Sequence, residues 1–98
     1  MTKSEADELV ETFSIEETCI KFQGKRYFFD GCSSKRDKEG NFQAVEAKIF
    51  TIPDCKIIFQ IEKPTASQCI EAFLDAPIFD GKKFYDAYKD FEFTDDWL

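Results

Sequence analysis

The chain has 98 residues, a formal net charge of −7, and 43% hydrophobic residues, among them twelve Phe. That length accommodates one domain with one core and excludes a pair of domains with a cleft between them, while the apolar content excludes a disordered chain. The acidic balance disfavours direct nucleic-acid binding, which draws its affinity from Lys and Arg displacing counterions.

The charge is unevenly spread. Residues 1 to 20 carry one cation against six acids, residues 21 to 63 nine against six, and residues 64 to 98 three against eight. A basic middle is therefore flanked by acidic ends. No stretch approaches 18 apolar residues and the N-terminus lacks the basic start and apolar run of a leader, so the expectation is a cytoplasmic protein with no membrane partner.

Ser4 is expected to cap a helix over residues 5 to 13, with Glu5, Asp7 and Glu8 near its positive end and Leu9, Val10 and Phe13 forming a narrow apolar stripe on a surface helix. Residues 16 to 22 and 25 to 32 then read as a hairpin closed at Gln23-Gly24 or Gly24-Lys25. Either register puts Ile20, Phe22, Tyr27 and Phe29 on one face.

A polar loop over residues 33 to 41 precedes a strand over 42 to 52, which Pro53-Asp54-Cys55 breaks before a strand over 56 to 62. A two-residue Pro53-Asp54 loop would set Lys48 against Phe59 and Glu46 against Ile61. A three-residue loop or a bulge instead pairs Ile49 with Phe59 and Ala47 with Ile61, and hydrophobic matching favours that register. Val45, Ala47, Ile49, Ile57, Phe59 and Ile61 then join the inward face. The outward face keeps Cys19, Phe28, Phe50, Ile52 and Ile58, too apolar to be simply solvated. Phe28, Phe50, Ile52 and Ile58 thus form a second apolar face, covered by the N-terminal helix or by a partner or second copy.

Thr65 and Gln68 spell a capping box for a helix over 66 to 75, with Ala66, Cys69, Ile70, Phe73 and Leu74 on one stripe and Pro77 beyond its end. Asp80 is a candidate cap for a further helix carrying Phe84, Tyr85, Ala87, Tyr88 and Phe91. The tail from residue 91 to 98 alternates as a short strand would, or is an acidic tail anchored by Trp97. The expected fold is α+β: an N-terminal helix, a four-stranded antiparallel β-meander, and one or two C-terminal helices packed on one sheet face.

Chemistry has few footholds. There is no His, so no Ser-His or Cys-His pair exists, and neither a nucleophile elbow nor a glycine-rich phosphate loop occurs. Cys19, Cys32, Cys55 and Cys69 are widely spaced, which points to reduced structural thiols rather than a metal site or a disulfide framework. Residues 35 to 46 match a calcium loop at several places, but Lys35 stands where the first Asp must be and the flanks read as strands. Lys35, Arg36 and Lys38 form a basic cluster interrupted by Asp37 and Glu39, as a solvated loop would be. No enzyme activity, cofactor or metal is expected.

The most distinctive composition is C-terminal, where aromatics alternate with acids. Asp86, Tyr88, Asp90, Glu92, Phe93, Asp95, Asp96 and Trp97 are the candidate partner-binding residues, since aromatic anchors rimmed by charge carry much interface energy. The functional expectation is a small acidic protein-binding domain, an inhibitor or immunity-type factor that occupies a basic, nucleic-acid-binding surface of another protein. The alternatives are a self-associating structural protein or complex subunit forming a homodimer, and a small-ligand carrier or enzyme.

Overall fold

The structure, a computed structural model, describes residues 1–94. Its first element is α1 (Lys3–Phe13), capped by Thr2 rather than by Ser4. Thr2 Oγ1 accepts from the Glu5 backbone N–H at 3.1 Å while Glu5 Oε1 accepts from the Thr2 N–H at 2.9 Å. This reciprocal box needs a side-chain acceptor of Glu or Gln length three residues after the cap. Glu5 supplies it for Thr2, whereas Asp7, which would serve Ser4, is engaged by Lys3 and Tyr85. The helix lies on the surface as expected, burying one stripe of Ala6, Leu9 and Phe13 while Lys3, Ser4, Glu8 and Glu11 stay exposed.

Strands β1 (Thr18–Phe22) and β2 (Lys25–Arg36) form the hairpin. Gln23 and Gly24 both take positive φ, 49° and 79°. That geometry suits the twist of the flanking strands and fixes the register at Phe22 opposite Lys25 and Ile20 opposite Tyr27. β2 runs four residues beyond Cys32 and carries a bulge, since Phe29 faces Ile49 but Cys32 faces Ala47. Gly31 sits in this bulge with φ 79° and lies under the end of α1. A Cβ there would come within 3.4 Å of the carbonyl oxygens of Phe13 and Glu16.

Strands β3 (Phe42–Ile52) and β4 (Lys56–Lys63) pair in two registers. Ile49 faces Phe59 and Ala47 faces Ile61, as hydrophobic matching requires, whereas nearer the turn Phe50 faces Ile57. The extra residue is Ile58. This corrects the expected facing of two side chains: Ile57 shares the outward face of Phe50 and is 51% exposed, and Ile58 packs against the core instead of joining the second apolar face. A bulge reconciles a tight turn centred on Pro53-Asp54 with an apolar register further along the strands.

After β4 comes α2 (Ala66–Asp75), capped by Thr65, whose hydroxyl oxygen accepts from the Gln68 N–H at 3.2 Å. The reciprocal half of the box is replaced by a side-chain bond from the Thr65 hydroxyl to Gln68 Oε1. Asp80 is not a helix cap. With φ 56°, followed by Gly81 at 81°, it makes a tight turn that closes Phe79 against Lys82 through two 3.1 Å backbone bonds. The C-terminal helix shrinks to α3 (Phe84–Ala87) and a 3-10 turn (Tyr88–Asp90), with no side-chain cap on α3.

The chain then adds β5 (Phe91–Phe93), antiparallel to β1 with Phe91 opposite Phe22. The expected four-stranded meander is thus part of a five-stranded antiparallel sheet in the order β4-β3-β2-β1-β5. Both long helices lie on its inner face. Phe13 of α1 stacks on Phe73 of α2 with centroids 5.0 Å apart, and both rings meet Phe29 of β2 edge-on. The expectation that α1 covers the second sheet face is therefore overturned: its only buried stripe is already spent beside α2.

Seven Phe rings are fully buried, and Phe79 lies at their centre. It meets Phe22, Tyr27, Phe29, Phe73, Phe84 and Phe91 at centroid distances from 4.9 to 6.2 Å. Edge-to-face pairs of this kind add about 0.5–1.5 kcal/mol each beyond area burial.

Candidate protein-binding surfaces

The first surface joins the two ends of the chain. The Tyr85 hydroxyl donates to Asp7 Oδ1 at 2.7 Å, and Lys3 reaches the same oxygen at 3.0 Å while lying 5.1 Å above the Tyr85 ring. The Tyr85 hydrogen bond, with Lys3 second, holds the Asp7 carboxyl below the usual range. Burial pushes the Tyr85 phenol up to about 12, helped by the Asp7 hydrogen bond and by the charges of Asp7 and Glu11. Two carboxylates of α1 therefore act on one phenol 74 to 78 residues away in sequence.

Tyr88 stands beside Tyr85 at 6.1 Å, half-buried against the core, and Asp86 and Asp90, two residues to either side in sequence, are exposed. Together α1 and residues 83 to 90 carry Lys3, Lys83 and Lys89 against Glu5, Asp7, Glu8, Glu11, Asp86 and Asp90. Lys83 is turned aside to Asp75 on α2, at 2.8 Å. The surface is acidic with two tyrosines in it.

The C-terminal candidates divide among different places. Asp86, Tyr88 and Asp90 belong to this acidic surface. Glu92 sits opposite Lys21 on the outward face of the sheet, and Phe93, opposite Ile20 at the sheet edge, is 52% exposed. Asp95, Asp96 and Trp97 lie outside the described residues. Sequence reasoning missed Asp7, Glu11 and Tyr85 as neighbours because nothing local signals a contact between the first helix and the last. The one available hint was that both ends are acidic.

The second surface is the outward face of the sheet. Phe28 stacks on Phe50 at 4.9 Å, Ile52 is half-buried, and Ile57 extends this apolar row onto β4. Charges on the neighbouring outward positions are paired: Lys35 with Glu62, Lys48 with Glu46 at 3.6 Å, and Gln60 donates to Glu46 at 3.1 Å. The Gln60 hydrogen bond is the main reason that the Glu46 carboxyl titrates low, with the Lys48 charge adding to it.

The basic cluster on the β2–β3 hairpin does not converge. Lys35 is turned to Glu62, and Arg36 donates to the Gly40 carbonyl at 3.0 Å. Asp37 folds the tip by accepting from the N–H groups of Glu39 and Asn41 at 2.9 and 2.8 Å. Those bonds, Asn41 first, lower its carboxyl. The acid at this position is therefore a turn-former, which accounts for the partial resemblance to a calcium loop.

A cleft of about 620 Å³ opens where the β1–β2 and β3–β4 turns approach the Phe79 turn, with Tyr27, Ile58 and Ile78 among its walls and Lys25, Lys56 and Asp80 among its charged lining. Burial, then the Asp80 charge, raises the Tyr27 phenol. Among the thiols, Cys19 and Cys69 are buried, Cys32 is half-buried and Cys55 is exposed. Burial first and the neighbouring Cys69 second push Cys32 up to about 11, and burial raises Cys69, so both hold their protons at neutral pH. Among the described residues no cluster of three or more Cys, Asp or Glu has the geometry to hold a metal ion, and no helix is long and apolar enough to cross a membrane.

Compared with protein-family models, with curated proteins and with solved structures, the chain matches none.

Proposed function

We propose that this chain works by binding another protein through the acidic surface of α1 and the Tyr85–Asp90 region, as an inhibitor- or immunity-type factor in the cytoplasm that occupies a basic, nucleic-acid-binding surface. The observation that carries this reading is the bond of Tyr85 to Asp7, with Glu11 acting on the same phenol, beside Tyr88 in a segment whose Asp86 and Asp90 are exposed. Aromatic rings supply desolvated anchors, and a rim of one charge sign steers a partner of the other sign and fixes its orientation. Carboxylates around such anchors compete with phosphates for the same Lys and Arg side chains, so the partner's nucleic acid and this chain exclude each other.

The test is capture of partners from native-host extract on the immobilised chain, identification by mass spectrometry, and repetition with a Glu11→Lys, Asp86→Lys double variant. The expected result is one dominant basic protein, released by salt, displaced by a duplex oligonucleotide, and lost with the double variant. A partner held equally by the double variant, or indifferent to both salt and oligonucleotide, removes the basis of the proposal.

A further inference from the structure

We infer that the outward face of the sheet is a self-association surface, on which a second copy of this chain packs face to face around Phe50 and Ile57. An antiparallel sheet with one face on the core ordinarily turns polar side chains to water on the other. Here the central outward positions are Phe28 and Phe50, stacked on each other, with Ile52 and the half-exposed Ile57 continuing the row. Ile57 is there because the bulge at Ile58 turns it outward, against the alternation the sequence implies.

Charge identifies the occupant. Strand registers place Lys21, Arg26, Lys35 and Lys48 outward, and with them Glu46, Glu62 and Glu92, while Asp30, next to the inward Phe29 and unpaired in the bulge, falls on the same side by alternation. The described sheet face thus balances four cations with four carboxylates in a chain of net charge −7. A two-fold contact brings each patch against its own copy, so it is favoured by a patch without net charge. This face meets that condition; the helical side, where two copies would oppose acid with acid, does not. A basic partner gains no steering from a balanced face and is drawn to the acidic side instead.

Edge-to-edge pairing is opposed by the same strand. β4 is an outer strand of the sheet, but it carries Lys56, Glu62 and Lys63 and the bulge at Ile58, devices that blunt an edge against strand addition. The apolar surface is therefore offered through the face rather than through the edge.

Sedimentation equilibrium of the full chain over a micromolar-to-millimolar series, at low and high salt, tests this. The expected result is an 11.4 kDa species giving way to one of twice that mass. Raising the salt strengthens the association, because it screens repulsion between the remaining acidic surfaces. Ile57→Asp, folded by circular dichroism, weakens it about tenfold or more by placing an unpaired charge in the contact. Phe50→Thr weakens it as well, and Glu11→Lys does not. A monomer at every concentration overturns the inference, as does a dimer dissolved by salt or one untouched by Ile57→Asp. Sensitivity to Ile57→Asp without sensitivity to Phe50→Thr assigns the contact to the β4 edge and overturns it equally. These results are independent of partner capture, since the two surfaces share no residue.

Discussion

The helical side and the outward sheet face separate two properties that most small proteins mix over one surface. The helical side holds a charge excess around two tyrosines, and two of its three lysines are diverted: Lys3 to Asp7 and Lys83 to Asp75. The sheet face has balanced charges, paired by Lys35 on β2 with Glu62 on β4 and by Lys48 with Glu46 along β3, around an apolar row. The difference teaches that net charge alone says little about what a chain can bind. The total of −7 is carried away from the sheet face, so one molecule offers a long-range electrostatic surface and a short-range apolar one, with opposite responses to salt.

The largest change removes the support common to both. Phe79→Ala deletes the ring that six other aromatics pack around, and a Phe-to-Ala cavity costs about 3–5 kcal/mol. Against a typical domain stability of about 5–15 kcal/mol, that loss disables both surfaces together. Urea denaturation should show a midpoint shift of matching size, although Phe79 lies outside every helix and strand. A small shift would mean that the ring cluster collapses around the gap.

A smaller change acts on one side only. Gly31→Ala forces a side chain into φ 79° and sets its Cβ 3.4 Å from the carbonyl oxygens of Phe13, the last residue of α1, and of Glu16 just beyond it. The left-handed conformation alone costs a residue with a Cβ about 1–2 kcal/mol. Thermal unfolding should report that loss. Amide exchange should show α1 loosened, while the Phe28–Phe50 region keeps its protection.

These two positions also mark how far the sequence could be read. Strand periodicity and hydrophobic matching were legible, as the Ile49–Phe59 and Ala47–Ile61 pairs show. Thr65 and Gln68 likewise announced α2. What escaped was set by single residues acting out of register. The bulge at Gly31 was not foreseen, and the bulge that hydrophobic matching allowed between β3 and β4 could not be placed at Ile58, because alternation does not locate an inserted residue. Phe79 escaped because a ring in a turn has no periodicity; its place depends on the left-handed pair Asp80 and Gly81, where Asp80 resembled a helix cap. The fifth strand is three residues long, a length at which pattern carries little weight, and its pairing with β1 is non-local. The acidic surface was half visible, because the C-terminal acids stood out in composition while their α1 partners lay at the far end of the chain.

The finest test isolates the Asp7–Tyr85 bond that ties those ends together. The Tyr85 phenol is raised in the folded chain from an ordinary value of 10 to about 12, so its contribution is intact below pH 10 and is lost as the pH rises towards 12. The Asp7 carboxyl is lowered, so its contribution is present above the ordinary carboxylate range and fades as the pH falls through the folded value. The stability difference between the native chain and Tyr85→Phe should therefore form a plateau across neutral pH and narrow on both limbs. Urea titrations of the two proteins at matched pH measure it. Phe at this position retains the ring packing against Phe84 and Tyr88, so a difference independent of pH would locate the effect in packing and not in the hydroxyl. Because Asp7 keeps its charge in the variant, partner binding on the acidic side should weaken only as far as α1 loses its tether, and the sheet-face dimer should be untouched.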